Sequence, residues 1–156
     1  MLDRRTALLA GLGAGAATPA LAQHPEDADL RGRRLAHLHA FADAFYHQKS
    51  VRLAFEQFVS EQYIQHSRGI PQGREGAIAV LEPMFKRPEF VTTVERILLD
   101  GDFAFIVVRA QISASVEALV LDLFRFEGEQ IVEHWDAKSE IPPEDRPGFF
   151  DGFAKP

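Results

Sequence analysis

The chain has 156 residues, 46% of them hydrophobic and 26% charged, with a formal net charge of −6 and no cysteine. This is the composition of one globular domain, and it excludes a mainly disordered chain. The acidic balance argues against nucleic acid or an anionic membrane as partner, and without cysteine there are no disulfides and no thiol chemistry.

The first 22 residues read as an export signal. Arg4-Arg5 precede an apolar run from Ala7 to Ala17, and Ala20-Leu21-Ala22 is a small-x-small cleavage site. The run is too short to span a membrane. The pair Arg4-Arg5 followed by Leu8-Leu9 resembles a bacterial twin-arginine signal. The expectation is cleavage after Ala22, a single mature domain from Gln23 to Pro156, a periplasmic location and no membrane contact after cleavage. The signal removes two arginines and one aspartate, so the mature chain is one unit more negative than the −6 of the whole.

Gln23 to Asp29 is polar and reads as a linker. Leu35, Leu38, Phe41, Ala42 and Phe45 then recur at three- and four-residue steps, which predicts an amphipathic helix over about 29–48. Ser50 is a candidate N-cap for a second helix ending near Ser60, with Val51, Ala54, Phe55 and Phe58 inward. Tyr63-Ile64 reads as a short extended piece. Gly69, Pro71 and Gly73 make a loop. A third helix is predicted over Arg74 to Phe85, disturbed at Pro83.

The rest reads as strands. Phe90 to Leu99 and Phe103 to Ser113 flank Asp100-Gly101, a two-residue hairpin signal. Val116 to Phe126 and Gln130 to about Ser139 flank Glu127-Gly128-Glu129. Four strands in meander order after three helices predict an α+β domain, with the helices packed on one face of an antiparallel sheet. The tail carries Phe149, Phe150 and Phe153, which are expected to cap the domain or dock on a second subunit.

Asp122 is the anomaly: period-two alternation puts it on the apolar face of Val116, Ala118, Val120, Phe124 and Phe126. With a two-residue loop at Gly128-Glu129, Phe124 pairs with Glu133 and Asp122 with Trp135. With a three-residue turn the register slips and His134 replaces Trp135 as the neighbour. A carboxylate in apolar surroundings suits a general base, because burial raises its pKa toward neutrality. The plainer reading is an aspartate bonded to Trp135, Tyr63 or Arg109 for structural reasons.

At this point the residues resemble a family. Tyr63-Ile64-Gln65-His66, a Gly/Pro loop and Gly73-Arg74-Glu75-Gly76 are similar to the SnoaL-like polyketide cyclase branch of the nuclear-transport-factor-2-like superfamily. So are Asp122-Leu123-Phe124-Arg125-Phe126 and Ile131-Val132-Glu133-His134-Trp135-Asp136, and the resemblance covers roughly residues 30–140. It implies a cone in which a curved sheet wraps a long helix around a cavity. It also implies acid/base chemistry of the aldol-condensation or isomerase type on a small carbonyl compound, without metal or cofactor, with Asp122 at the position of the family's acid/base aspartate. Val107 stands where relatives often carry a middle-strand histidine.

His66 or Tyr63 would serve the substrate oxygen, although three residues apart in a regular strand they point to opposite faces. Phe41, Phe45, Phe105, Phe124 and Trp135 are the candidate cavity walls, Glu133 and His134 the candidate neighbours of Asp122, and Arg109 a candidate clamp for a carboxylate or enolate. His37, His39 and His47 do not match a zinc-binding spacing. The rival reading is a non-catalytic binding protein for a small apolar ligand, marked by an Asp122 closed in by protein hydrogen bonds. A third is an interaction module built on Leu121, Leu123, Val132 and the aromatic tail. A homodimer is expected under the first two.

Overall fold

The computed structural model describes residues 25–153. The expected export signal lies outside the described residues. Helix α1 spans Pro25–Ala42, α2 Val51–Phe58 and α3 Arg74–Phe85. Proline is well suited to the first turn of α1, where its missing N–H would have no helical partner, and the helix claims most of the expected linker. Among the described residues no helix is long and apolar enough to cross a membrane.

The first helix does not run on to Gln48 as an α-helix. Asp43–His47 forms a π-helical turn, closed by Gln48 N–H donating to the Asp43 carbonyl at 2.9 Å. The wider turn puts Ala44, Phe45 and Tyr46 all into the interior, whereas an α-helix would rotate Tyr46 about 100° away from Phe45. Such turns are frequent at functional sites.

Strands β1 (Val59–Gln65), β2 (Val91–Asp100), β3 (Phe103–Gln111), β4 (Glu117–Glu127) and β5 (Gln130–Ile141) form one sheet in the order β1-β5-β4-β3-β2. The last four are the expected antiparallel meander. The expectation of a purely antiparallel, four-stranded sheet is corrected by β1, which adds to the β5 edge in parallel. Its run of Ser60, Glu61 and Gln62 hides the strand, because an edge strand broken by a register shift shows no clean alternation.

Gly101 and Gly128 take positive φ at the two hairpin turns, where glycine carries no Cβ penalty. One buried side chain locks both turns to α1. Arg34 Nε donates to the Gly128 carbonyl at 2.6 Å, and its Nη1 reaches the Gly101 carbonyl at 3.1 Å and Asp102 Oδ1 at 2.6 Å.

The helices cover the sheet face that carries Ala104, Ile106, Val108, Phe124, Phe126 and Ile131. In the tail, Phe150 is buried beneath the Arg109 guanidinium, 4.4 Å from its carbon to the ring centre, so it caps its own domain.

Candidate active site

The turn between β4 and β5 is the two-residue one, and Phe126 pairs with Ile131 as expected. The next step departs from expectation. The ladder shifts between Phe126 and Arg125, so that Arg125 pairs with Glu133, Phe124 with His134, Leu123 with Trp135 and Asp122 with Asp136. Val132 is the extra residue of a β-bulge. Because side chains alternate with period two, this one residue exchanges the faces of everything after it. His134 and Asp136 turn inward beside Asp122, and Glu133 and Trp135 turn outward.

Asp122 and His134 are both 7% exposed. His134 Nε2 lies 2.9 Å from Asp122 Oδ1, and the Tyr46 hydroxyl donates to Asp122 Oδ2 at 2.7 Å. On its other side, His134 Nδ1 lies 2.9 Å from Gln65 Oε1, which also accepts the Ser67 backbone N–H at 2.8 Å. A backbone N–H can only donate, so the Gln65 atom facing it is the amide oxygen. His134 Nδ1 must then carry a hydrogen. A single further proton is held on the line between Nε2 and Oδ1. The two groups are either imidazolium and carboxylate or imidazole and carboxylic acid, and the net charge of the pair is zero in both.

Asp136 sits behind this pair. Burial opposes its ionisation, but hydrogen bonds from Lys138 at 2.7 Å and from Ser67 outweigh it and hold its pKa below the usual aspartate value. Tyr46 and Tyr63 are pushed well above the ordinary tyrosine range, first by burial and then by the Asp122 charge, so both remain phenols. Tyr63 OH receives Gln65 Nε2 at 3.5 Å. Its own hydroxyl hydrogen has no acceptor among the described residues.

These groups form one end of a cavity of about 140 Å³ whose other walls are Phe41, Phe45, Phe55, Phe85, Phe90 and Phe124. Phe41 stacks on Phe45 with centroids 5.3 Å apart and meets Phe124 edge-on at 5.4 Å. That volume compares with an engineered apolar cavity of about 150 Å³ that takes benzene.

Of the residues expected at the site, Asp122, Tyr63, His134, Phe41, Phe45 and Phe124 line this cavity. His66, Glu133, Trp135, Phe105 and Arg109 do not. His66 lies flat on Trp135, with centroids 4.7 Å apart, and its Nε2 is 2.7 Å from Glu133 Oε1. Glu133 Oε2 accepts Arg125 Nε at 2.7 Å, and the bonds from His66 and Arg125 lower its pKa. Arg109 Nε donates to Glu95 at 2.8 Å, and Phe105 is 43% exposed. All five belong to the outer face of the sheet or its edge. Val107 is on β3 between the inward-facing Ile106 and Val108, so it too points away from the cavity. Among the described residues no group of three or more His, Asp or Glu side chains is arranged to hold a metal.

Sequence reasoning missed Tyr46, Gln65, Ser67 and Asp136. Tyr46 lay one residue off the helical stripe and is turned inward only by the π-helical turn. Gln65 and Ser67 follow from Tyr63 by strict alternation, since Tyr63, Gln65 and Ser67 are buried while Ile64 and His66 are exposed. Extending β1 by two residues would have found them.

A family model described as a SnoaL-like domain matches residues 38–134. Among curated protein sequences none matches the chain. A protein from Jannaschia sp. CCS1, described as a candidate SnoaL-like polyketide cyclase, superposes with a TM-score of 0.57 at 17% identity, covering 77% of this chain and 92% of that one. A candidate ketosteroid isomerase from Kribbella flavida gives 0.60 at 16% identity, covering 72% and 84%. A nuclear-transport-factor-2-like protein of unknown function from Mesorhizobium loti gives 0.58 at 21% identity, covering 74% and 97%. At these identities the structures establish the fold and leave the reaction open.

Proposed function

Since the chain belongs to the SnoaL-like domain family, with a nuclear-transport-factor-2-like fold, we propose that it catalyses acid/base chemistry on a small carbonyl compound, using its own side chains. The observation that carries this reading is the buried Asp122–His134 pair, facing an aromatic cavity with one shared proton.

In the imidazolium–carboxylate form, Asp122 has lone pairs left to accept a proton from the carbon beside a carbonyl. The C–H bond breaks, the proton passes to the carboxylate, and the electron pair moves onto the carbonyl oxygen. That oxygen accepts the free Tyr63 hydroxyl hydrogen, which costs no competing protein bond. Return of the proton to the same carbon gives exchange, and return to another carbon gives isomerisation. Attack of the enolate carbon on a second carbonyl gives an aldol bond.

A second reading has one specific observation in its favour. Both Asp122 oxygens already have a protein partner, His134 and Tyr46, which is the closed aspartate expected of a non-catalytic binding protein. The two readings separate on hydrogen exchange at the α-carbon of a bound ketone. Exchange that requires Asp122 supports the enzyme, and binding without exchange supports the carrier.

We propose also that the outer sheet face is covered by a second copy. Leu98, Phe103 and Phe105 are 52%, 42% and 43% exposed on neighbouring strands. Arg125 and Glu133 on the same face supply both charge signs, as a patch needs in order to match itself across a two-fold axis.

A further inference from the structure

The cavity walls define the substrate more narrowly than the fold does. Four charged residues line the cavity, and they cancel in pairs: His134 with Asp122 at 2.9 Å and Lys138 with Asp136 at 2.7 Å. A charged substrate would have to break one of these pairs to find a counter-ion, and breaking a buried pair is strongly unfavourable. The remaining polar groups are also engaged. Thr92 Oγ1 donates to the Tyr46 carbonyl at 2.7 Å, Gln65 bridges His134, Ser67 and Tyr63, and Ser67 bonds Asp136. The Tyr63 hydroxyl hydrogen is the uncommitted donor at the buried end. The cavity therefore offers one hydrogen bond, apolar aromatic walls and about 140 Å³.

We infer that the substrate is an uncharged carbonyl compound of a single ring or equivalent bulk, with the carbonyl as its one buried polar group. A fused three-ring polyketide skeleton exceeds a benzene-sized space and falls below the usual range of about 300–1,000 Å³ for larger-ligand pockets only by leaving part of itself in water. The inference rests on the acid/base reading for the carbonyl. Its size and charge limits rest on the walls alone.

The test is a ladder of ketones: cyclohexanone, 1-tetralone and anthrone, with 3-oxocyclohexanecarboxylate as the anionic partner of the first. Binding to the full chain is read by calorimetry and thermal shift, and α-hydrogen exchange by proton NMR in heavy water. Cyclohexanone is expected to bind and to exchange. Anthrone and the carboxylate are expected to bind more weakly by roughly tenfold or more. Met84→Ala, which shortens a half-buried wall residue, is expected to improve 1-tetralone relative to cyclohexanone, and a circular dichroism spectrum shows whether the variant is folded. Equal or tighter binding of anthrone or of the carboxylate overturns the inference, as does failure of cyclohexanone to bind at all. Binding of cyclohexanone without exchange leaves the size and charge limits standing and overturns the acid/base reading instead.

Discussion

His134 Nε2 lies 2.9 Å from Asp122 Oδ1 because Val132 is bulged out of the β4–β5 ladder. Without that shift Trp135 would face inward at this place. The bulge therefore decides whether Asp122 has a proton partner or an aromatic wall. It also decides that His134 reaches Gln65, whose oxygen is oriented by the Ser67 N–H.

The hydrogen-bond directions fix the His134 tautomer. Nitrogen-15 NMR of the histidine ring is expected to show Nδ1 protonated across the neutral pH range. Gln65→Leu removes the acceptor, and a mixture of tautomers or loss of the Nδ1 proton is expected. An unprotonated Nδ1 in the wild type would contradict the assigned network.

The two sheet faces make opposite predictions for substitutions close together in sequence. Asp122→Asn and Tyr63→Phe are expected to lower any α-exchange activity by about 100-fold or more, the usual range for a positioned acid or base. His66→Ala, Glu133→Gln and Trp135→Ala lie outside the cavity and are expected to leave the rate within about threefold, in the range of surface changes of roughly 0.5 kcal/mol. Steady exchange rates by NMR distinguish the two sets. Equal losses in both would place the chemistry elsewhere.

Arg34 is expected to carry more stability than any other charge on α1. Arg34→Ala orphans two turn carbonyls and removes an ion pair, a loss of about 2–3 kcal/mol at the scale of charged hydrogen bonds. Urea unfolding should show a lower midpoint with an unchanged slope. A shift no larger than that of a surface residue would refute the clamp.

Asp136 has a lowered pKa in the folded state, so it binds its proton less readily there than in the unfolded chain. Its contribution is fully present above the unfolded value of about 3.9 and fades as the pH falls through the lower folded value. Asp136→Asn is expected to flatten that part of the acid-unfolding curve and leave its shape near neutrality unchanged. An identical acid limb in the variant would count against the Lys138–Ser67 hydrogen bonds.

The proposed dimer is tested by light scattering at micromolar concentration. The wild type is expected at twice the chain mass and Phe105→Asp at the chain mass, with the far-ultraviolet spectrum unchanged. A monomeric wild type would overturn the proposal for the outer face.

Local rules reached much of this fold from the sequence. Glycine and proline bracket α3 at its observed ends, Asp100-Gly101 marks its hairpin, and alternation puts Asp122 inward among apolar neighbours. What was hidden depends on one-residue insertions. The π-helical turn brings in Tyr46, and the Val132 bulge brings in His134 and Asp136 while sending out Glu133 and Trp135. Neither leaves a mark in hydrophobic periodicity, because each exchanges faces without changing composition. His66 was drawn toward the site by chemical type, yet alternation from the buried Tyr63 already sent it outward.

The central claim is that Asp122, paired with His134, takes a proton from carbon. The most direct measurement is the rate of α-deuterium incorporation into cyclohexanone in heavy water, for the wild type, Asp122→Asn and His134→Asn side by side. The account predicts incorporation above the buffer rate in the wild type and its loss in both variants while the ketone still raises their melting temperature. Equal rates in wild type, variants and buffer would contradict it.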